Sequence, residues 1–320
     1  MSRLLVLDYG SNSLRWLVAD LLALHGMGAL GPVESGGRST GLGRPGEDGR
    51  ISQKAVENTL AATQEAIARG RELGVDRILA VATHFARELP GVKTLADEMK
   101  SRWGVELTLL SGTDEAWLTR VGVDEGLRGL GLDGRAFLAV DVGGGSTELS
   151  WWGGRELFTR SFPLGAIGLT SRYLDTDPPA FEEMEKLTDG VRAVFAQLPG
   201  DTHAAPVVAS GGTATALAAM HLGLNEYLPM VIQGTRLTRG DLAALIGRLA
   251  GVPLAERRRL LPLDENRAEI IVAGALILET LLEVLGADGL LVSDYDLKHG
   301  AAITLGGGRP ATLPMEEQGV

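Results

Sequence analysis

The sequence contains no cysteine, which excludes disulfide bonds, thiolate metal sites and cysteine nucleophiles. No apolar stretch approaches the length of a membrane span, and the N-terminal residues carry neither a basic region nor a small-residue cleavage site. The five histidines have no metal-ligand spacing and take part in no Ser-His-Asp pattern. We therefore expect a cytoplasmic protein that does not bind membranes and uses oxygen ligands or backbone groups for its chemistry.

Basic residues are also too scarce and too scattered for a protein that binds long nucleic acids. The chain has 30 Lys and Arg against 41 Asp and Glu, which gives a net charge of −11. Outside the run Arg257–Arg258–Arg259 the basic residues are dispersed, so the overall field would repel a long polyanion. This balance favours a small or short anionic ligand and no nucleic-acid polymer as partner.

One motif occurs twice in the chain, as LLVLDYGSNSLRWLVA at 4–19 and FLAVDVGGGSTELSWW at 137–152. The copies align at one constant offset, which matches Asp8 with Asp141, Gly10 with Gly143, and Ser13 with Ser146. Each copy is an apolar run, then Asp-x-Gly with small residues, then a second apolar run. This pattern predicts strand, tight turn, strand, with backbone N–H groups and hydroxyls free to surround an oxyanion.

The order of elements predicts an α/β fold in two domains. Strand-like and helix-like segments alternate, and the second half begins again with a strand at 137–142. Glycines cluster at 126–134, which marks the domain boundary, and the Gly- and Arg-rich segment 28–50 is typical of turns and a mobile loop. The predicted division is a first domain at 1–128 with 298–312 packing back on it, a second domain at 129–297, and a flexible tail at 306–320.

Three glycine-rich turns are the candidate phosphate-binding elements. One such turn is more often a plain tight bend, whereas three turns that each follow a strand favour a phosphate ligand. The third turn, Ser210-Gly211-Gly212-Thr213, also leads into a helix whose N-terminus attracts anions. The candidate phosphate contacts in the turns are Gly10, Ser11, Asn12, Ser13, Gly143, Gly144, Gly145, Ser146, Thr147, Gly211, Gly212 and Thr213.

Acidic residues next to these turns are candidate metal ligands. Asp8 and Asp141 each end a strand beside a phosphate turn, where a carboxylate is well placed to hold Mg²⁺ directly or through water. A single Asp at such a place often only shapes an Asx-turn, but the matched pair favours the metal. Glu148 directly follows the second turn, and it could bind metal, position water or lie on a strand surface.

Glu115 is the candidate general base, because hydrolysis of a phosphoanhydride needs a carboxylate within reach of the attacking water. By spacing alone, its position just inside a helix capped by Ser111 favours a helix-start residue that complements the helix dipole. Arg87 suits bidentate phosphate contact, with a surface salt bridge as the alternative. Arg267 and Lys298 are predicted to be solvated.

An ordered set of motifs resembles the exopolyphosphatase and guanosine-pentaphosphate phosphohydrolase family (Ppx/GppA). The resemblance covers Leu4 to about Gly300. The motifs are DYGSNSLRWLV at 8–18, VATHFAR at 81–87, LSGTDEA at 110–116, DVGGGSTEL at 141–149, FPLGAIGLT at 162–170, ASGGTATAL at 209–217, RAEIIVAGALIL at 267–278 and VSDYDLKHG at 292–300. It implies two ribonuclease-H-like domains of the actin, sugar-kinase and chaperone-ATPase superfold, with an active-site cleft between them.

The resemblance also implies roles for individual residues. Glu115 matches the family's catalytic glutamate, which activates water, and Asp141 and Glu148 match acidic positions linked to Mg²⁺ (or Mn²⁺) and catalysis. Arg87 and the glycine turns match phosphate-contacting positions. Two departures are Tyr9 in place of the common aliphatic residue and Thr113-Asp114 where acidic residues are usual. Family members often form homodimers, and a dimer is expected here.

The implied activity is an exopolyphosphatase that removes terminal phosphate from polyphosphate. Hydrolysis of the 5′ terminal phosphate of guanosine pentaphosphate is the alternative, because both reactions use the same residues. A non-catalytic sensor of polyphosphate or of guanosine penta- or tetraphosphate is the alternative from another class, and a kinase of the same superfold is disfavoured by the motif order. Some members continue into a C-terminal helical domain that grips long chains; this sequence ends without it, so short substrates are expected.

Overall fold

The computed structural model describes residues 2–24, 27–128, 130, 137–153, 156–200, 202, 205–261 and 265–309. The described residues form two compact units. Unit 1 combines the chain up to Glu125 with a return segment that begins at Asp296, and unit 2 runs from Gly126 to Tyr295. The predicted boundary at 126–134 lies mostly outside the described residues. None of the described helices is long and apolar enough to cross a membrane.

Unit 1 contains a five-stranded sheet of order β3-β2-β1-β4-β5. Strands β1 to β3 pair antiparallel, and β1, β4 and β5 are parallel. The strands are β1 (Ser2–Tyr9), β2 (Ser13–Leu24), β3 (Met27–Ser39), β4 (Arg77–Ala82) and β5 (Leu107–Leu109). The helices are α1 (Gln53–Glu72), α2 (Phe85–Glu88), α3 (Val92–Trp103), α4 (Gly112–Arg128), which extends past the end of the unit, and α12 (Leu297–Thr304).

Both faces of the unit 1 sheet are apolar, and β1 shows why. Leu5 and Leu7 belong to the core under α1 and α3, while Leu4 and Val6 belong to a second core with α12. Ser52 is the N-cap of helix α1, because its side chain accepts a hydrogen bond from the Ala55 backbone at 3.2 Å. The central strand is therefore buried from two sides.

The prediction of turns and a mobile loop at 28–50 is wrong for its first part. Residues up to Ser39 form the edge strand β3, paired with β2 along its length. Gly36 faces Trp16 in the register, and an added Cβ at Gly36 would lie 2.5 Å from the indole ring. Cross-strand aromatic cover thus compensates for the poor strand propensity of the glycines.

Unit 2 contains a six-stranded sheet of order β10-β11-β9-β6-β7-β8. Its strands are β6 (Leu138–Val142), β7 (Thr147–Gly153), β8 (Glu156–Phe162), β9 (Val207–Ser210), β10 (Arg236–Thr238) and β11 (Gly289–Val292). Its helices are α5 (Ala166–Tyr173), α6 (Phe181–Phe195), α7 (Gly211–Leu222), α8 (Pro229–Ile232), α9 (Arg239–Ala250), α10 (Leu254–Leu260) and α11 (Ile271–Leu285). Helix α11 is apolar on nearly all sides and packs against α6 and α9.

The two sheets have the same topology. The order β8-β7-β6-β9-β11 repeats β3-β2-β1-β4-β5, with β10 added antiparallel at the edge. The predicted α/β fold with a ribonuclease-H-like sheet in each half is thereby confirmed. Of the predicted tail at 306–320, residues 306–309 lie in a turn in which the Arg309 N–H donates to the Thr304 carbonyl at 2.9 Å. The remainder lies outside the described residues.

Candidate active site

The repeated motif forms the same turn in both units. The Gly10 N–H donates to the Ser13 carbonyl at 3.0 Å, and the Gly143 N–H donates to the Ser146 carbonyl at 2.9 Å. A Cβ added to either glycine would lie 3.2 or 3.1 Å from that carbonyl oxygen. Each turn is closed so tightly that glycine is preferred, and each follows an aspartate at the end of a central strand.

A second loop braces the turn of unit 1. The Asn12 carbonyl accepts hydrogen bonds from the N–H groups of Thr40 (2.9 Å) and Gly41 (3.0 Å), and the Ser11 carbonyl accepts one from Gly43 (2.6 Å). The side chain of Asn12 is buried, and its Nδ2 has no hydrogen-bond partner within the described part of the chain. The backbone of this turn is fixed, whereas the Asn12 Nδ2 is a donor left without a partner among the described residues.

The turn of unit 2 is braced by a helix. The N–H groups of Ala166 and Ile167, at the start of α5, donate to the carbonyls of Gly143 (3.0 Å) and Gly144 (2.9 Å). Carbonyl oxygens of the turn are therefore directed into the protein. Its remaining backbone donors and the Ser146 side chain form the candidate phosphate surface.

Two of the hydroxyls predicted to contact phosphate instead donate hydrogen bonds to backbone carbonyls within the protein. The Thr147 hydroxyl donates to the Leu164 carbonyl at 2.6 Å, and the Thr213 hydroxyl donates to the Val142 carbonyl at 2.9 Å. Both bonds are buried. The hydroxyl hydrogens at these two positions are therefore not available to a phosphate.

A row of four polar side chains crosses one end of the unit 2 sheet. Asp141 of β6 pairs in register with Ser210 of β9 on one side and with Glu148 of β7 on the other. Glu148 pairs in turn with Ser161 of β8, and the Ser161 hydroxyl donates to Glu148 Oε1 at 2.7 Å. Residues paired in register point to the same face, so the four side chains form one line.

The first repeat differs from the second at one charged position of this line. Asp8 pairs in register with Arg15, whereas the equivalent Asp141 pairs with Glu148. Opposite charges face each other in unit 1, and two carboxylates face each other in unit 2. Adjacent cross-strand carboxylates repel unless a cation or a proton lies between them. The second repeat is therefore the one suited to a metal ion.

The donor set of this pair fits Mg²⁺ or Mn²⁺. Within the described residues no group of three or more His, Asp or Glu side chains is arranged to hold a metal. Mg²⁺ is commonly held by one or two carboxylates, with substrate phosphates and water completing the shell. Asp141 and Glu148 supply that number of carboxylates beside a phosphate-type turn. Asp8 lies at the equivalent strand end of unit 1.

Glu115 lies in the first turn of α4, where Arg87 contacts it. Arg87 Nη1 donates to both Glu115 Oε1 and the Leu110 carbonyl. The Glu115 side chain is 5% exposed and that of Arg87 is 27% exposed. Asp114 and Ser111 cap the helix, since the Ser111 N–H donates to Asp114 Oδ2 at 3.0 Å and the Asp114 N–H to Ser111 Oγ at 3.1 Å. The carboxylate of Glu115 is thus held in one place beside a partly exposed cation.

The prediction that Lys298 and Arg267 are solvated is wrong. Both residues are buried, with relative exposures of 5% and 6%. Lys298 Nζ lies 2.6 Å from Asp296 Oδ2, and Arg15 and His299 also approach this carboxylate. Burial alone would raise the pKa of Asp296, but the charge of Lys298 and the contacts from His299 and Arg15 hold that pKa well below its usual value. Asp296, Lys298 and His299 are close in the chain, whereas Arg15 reaches the cluster from β2, a contact that the sequence does not indicate.

Glycine turns at strand ends, paired carboxylates and a held glutamate on an α/β scaffold define an enzyme that acts on phosphorylated substrates. The chain belongs to the Ppx/GppA phosphatase family, whose model matches residues 34–305. The prediction of a hydrolase acting on phosphoanhydride bonds is confirmed by this membership together with the relatives.

Relatives match over most of their lengths. Exopolyphosphatase 2 of Mycobacterium tuberculosis is 31% identical over 96% of this chain and 99% of its own. Exopolyphosphatase 1 of Mycobacterium bovis is 29% identical over 93% of this chain and 86% of its own. The crystal structure of the Aquifex aeolicus Ppx/GppA family member superposes with a TM-score of 0.76 at 28% identity, covering 94% of this chain and 96% of that one.

The reasoning from sequence missed Ser161, the partner of Glu148, and it placed Ser210 in the third turn without making it a candidate phosphate contact. Ser161 lies in a hairpin strand, and counting back along β7 and β8 from the Gly153–Glu156 pair would have placed it opposite Glu148. Ser210 is the first residue of the third glycine turn. Which hydroxyls of this region are already hydrogen-bonded within the protein is information that only the structure gives.

Proposed function

We propose that this protein is an exopolyphosphatase that hydrolyses the terminal phosphoanhydride bond of short inorganic polyphosphate and releases orthophosphate. The observation that carries the proposal is the facing pair Asp141 and Glu148 beside the second glycine turn, where the first repeat has Asp8 and Arg15. Two carboxylates beside a turn rich in backbone donors suit a phosphate chain that arrives with a divalent cation. The mycobacterial relatives named as exopolyphosphatases support this choice of substrate.

In the proposed reaction Glu115 acts as general base. Its carboxylate accepts a proton from a water molecule whose oxygen forms a bond to the terminal phosphorus. The bond from that phosphorus to the bridging oxygen breaks, and the shortened chain leaves with the electron pair on this oxygen. Arg87 uses Nη1 to orient Glu115, which leaves its other guanidinium N–H groups to contact the terminal phosphate.

The remaining residues neutralise charge and fix the substrate. Backbone N–H groups of the turns 10–13, 143–147 and 211–213 would donate to phosphate oxygens, as would the Asn12 amide; the N–H groups of Gly10 and Gly143 are excepted because they close their own turns. Asp141 and Glu148, with Asp8, would hold Mg²⁺ or Mn²⁺, which supplies positive charge to the phosphate oxygens when bound. The proposal requires residues of both units to serve one substrate, and this stays a prediction.

Guanosine pentaphosphate is the second candidate substrate, because its 5′ terminal phosphate requires the same groups. The net charge of −11 favours a small anion over a long polymer, which suits both the nucleotide and short polyphosphate. A non-catalytic sensor would bind the same anions without turnover. A homodimer, cytoplasmic localisation and the lack of nucleic-acid or membrane partners also stay predictions.

The test is phosphate release by wild type and Glu115→Gln, with Mg²⁺ and with EDTA. The substrates are tripolyphosphate, long-chain polyphosphate and guanosine pentaphosphate. Glu106→Gln is the matched control, since Glu106 is exposed in the same unit, where it pairs with Lys100. We expect metal-dependent release by wild type and Glu106→Gln, and a loss of at least about 100-fold in Glu115→Gln.

The substrates then separate the alternatives. Faster release from tripolyphosphate than from the nucleotide supports the exopolyphosphatase, and the reverse order supports the guanosine pentaphosphate hydrolase. Binding of the anions without release by wild type would overturn the enzyme proposal and leave the sensor. Full activity in Glu115→Gln would refute the assigned base.

A further inference from the structure

Ser210 is a buried hydroxyl for which the described part of the chain provides no hydrogen-bond partner. The residue is 1% exposed, and its Oγ is inaccessible and unpaired among the described residues. Burial of a hydroxyl without a partner is costly, so native proteins seldom leave one in this state. The position therefore suits a group from outside the described residues, such as a bound ligand.

The location of Ser210 at a helix N-terminus indicates that the missing partner is an anion. Ser210 occupies the N-cap position of the twelve-residue helix α7, yet its side chain makes no capping hydrogen bond. The helix begins at Gly211, whose φ of +76° is left-handed. The first N–H groups of α7 therefore lack a side-chain cap at the end where a helix attracts anions.

Neighbouring hydroxyls cannot donate to such an anion. Thr213 donates to the Val142 carbonyl at 2.9 Å, and Thr215 donates to the Gly211 carbonyl at 3.0 Å. Both bonds lie inside the protein. Among the described hydroxyl groups at 210–215, the one whose hydrogen remains available is that of Ser210.

Asp141 completes the surroundings. It pairs in register with Ser210, and a Cβ added to Gly211 would lie 2.1 Å from Asp141 Oδ1. The carboxylate thus lies directly against the first residue of α7. A ligand at this place meets a helix N-terminus and a hydroxyl on one side, and a carboxylate that a cation would screen on the other.

We propose that Ser210 is a phosphate-contacting residue, whose hydroxyl donates to an oxygen of the terminal phosphate of the substrate and of the released orthophosphate. The N–H groups of Gly212 and Thr213 would bind the same phosphate. This inference rests on the proposed function for the identity of the substrate, but its ligand class, a phosphate anion, is tested separately.

The experiment combines a stability measurement with a binding measurement. Orthophosphate and tripolyphosphate are titrated calorimetrically in the presence of Mg²⁺ into Glu115→Gln protein, with and without Ser210→Ala. We expect Ser210→Ala to raise Kd for both anions about 10-fold or more, because a hydrogen bond to a charged group is lost. Its melting temperature should be unchanged or higher, since the removed hydroxyl had no partner.

Thr215→Val is the matched control on the same helix. It removes a hydroxyl that is bonded within the protein, so its melting temperature should fall while both anion affinities stay unchanged. Ser210→Cys keeps the size with a weaker donor, and its affinities should lie between those of serine and alanine. Ser210 would be identified as a ligand contact if Ser210→Ala raised Kd without lowering the melting temperature, while Thr215→Val lowered the melting temperature without changing Kd.

Three outcomes would overturn the proposal. One is an unchanged Kd in Ser210→Ala. Another is a loss of stability in Ser210→Ala that parallels the loss of affinity, which would make the hydroxyl a structural group bonded through ordered water. The third is no binding of either anion to the protein with Ser210 intact. If wild type releases phosphate and Ser210→Ala binds normally, only this inference fails; if wild type neither binds nor releases phosphate, the proposed function fails with it.

Discussion

Replacing Ser161 by alanine should lower turnover without removing any group that would touch the substrate. The hydroxyl donates to Glu148 Oε1 at 2.7 Å and is the partner that keeps this carboxylate in line with Asp141. A hydrogen bond to a charged group contributes about 1.5–3 kcal/mol. Each ~1.4 kcal/mol missing from the transition state reduces the rate tenfold, so we expect kcat to fall roughly 10- to 100-fold.

The assay is steady-state phosphate release from tripolyphosphate, analysed as kcat and KM separately. A positioning role predicts a lower kcat with KM nearly unchanged, and partial recovery in Ser161→Thr, which retains a hydroxyl. Thr159→Val is the control, because Thr159 lies two residues away on the same strand and face, opposite Ser150. An unchanged kcat in Ser161→Ala, or an equal loss in Thr159→Val, would refute the reasoning.

Two further predictions concern the stability of unit 1. Gly300→Ala should destabilise it by about 1–3 kcal/mol or more in urea unfolding, because the new Cβ would lie 1.8 Å from the Leu118 carbonyl oxygen where α12 meets α4; an unchanged midpoint would contradict the close helix contact. Since the folded pKa of Asp296 lies below its unfolded value of about 3.9, its stabilisation is present above pH ~4 and is lost as pH falls toward the folded pKa. Melting temperatures between pH 2 and 7 should therefore drop steeply below pH ~4 in wild type and less steeply in Asp296→Asn, which should also be less stable at pH 7 because Lys298 loses its partner.

Local patterns allowed much of the fold to be predicted. The repeated turns could be located because Asp-x-Gly between two apolar runs is a short-range signal, and their closing bonds at Gly10 and Gly143 are nearly identical. The start of α1 is fixed by an equally local contact, since the Ser52 side chain caps its own helix. These features depend on residues within a few positions of one another.

Features that depend on contacts between distant parts of the chain could not be predicted from the sequence. β3 is rich in glycine and has little intrinsic preference for a strand. Its strand conformation is stabilised by pairing with β2 and by the contact with Trp16. Lys298 is of a residue type usually found at the surface, yet it is buried beside Asp296, a carboxylate that Arg15 of β2 also approaches in the folded chain. Ser210 is another such feature, because the sequence does not indicate that its hydroxyl is buried without a partner among the described residues.

The return of the chain to unit 1 at Asp296 has a consequence for biosynthesis. Leu4 and Val6 of β1 share a core with Leu297 and Ala301 of α12, which the ribosome adds only after the whole of 126–295. At ~5–20 residues per second this delay is on the order of ten seconds or more. During that time one apolar face of the nascent sheet lacks its helix and is open to chaperones or to aggregation, whereas all strands of unit 2 emerge in one continuous stretch. Unit 1 is therefore the half that starts first on the ribosome and finishes last.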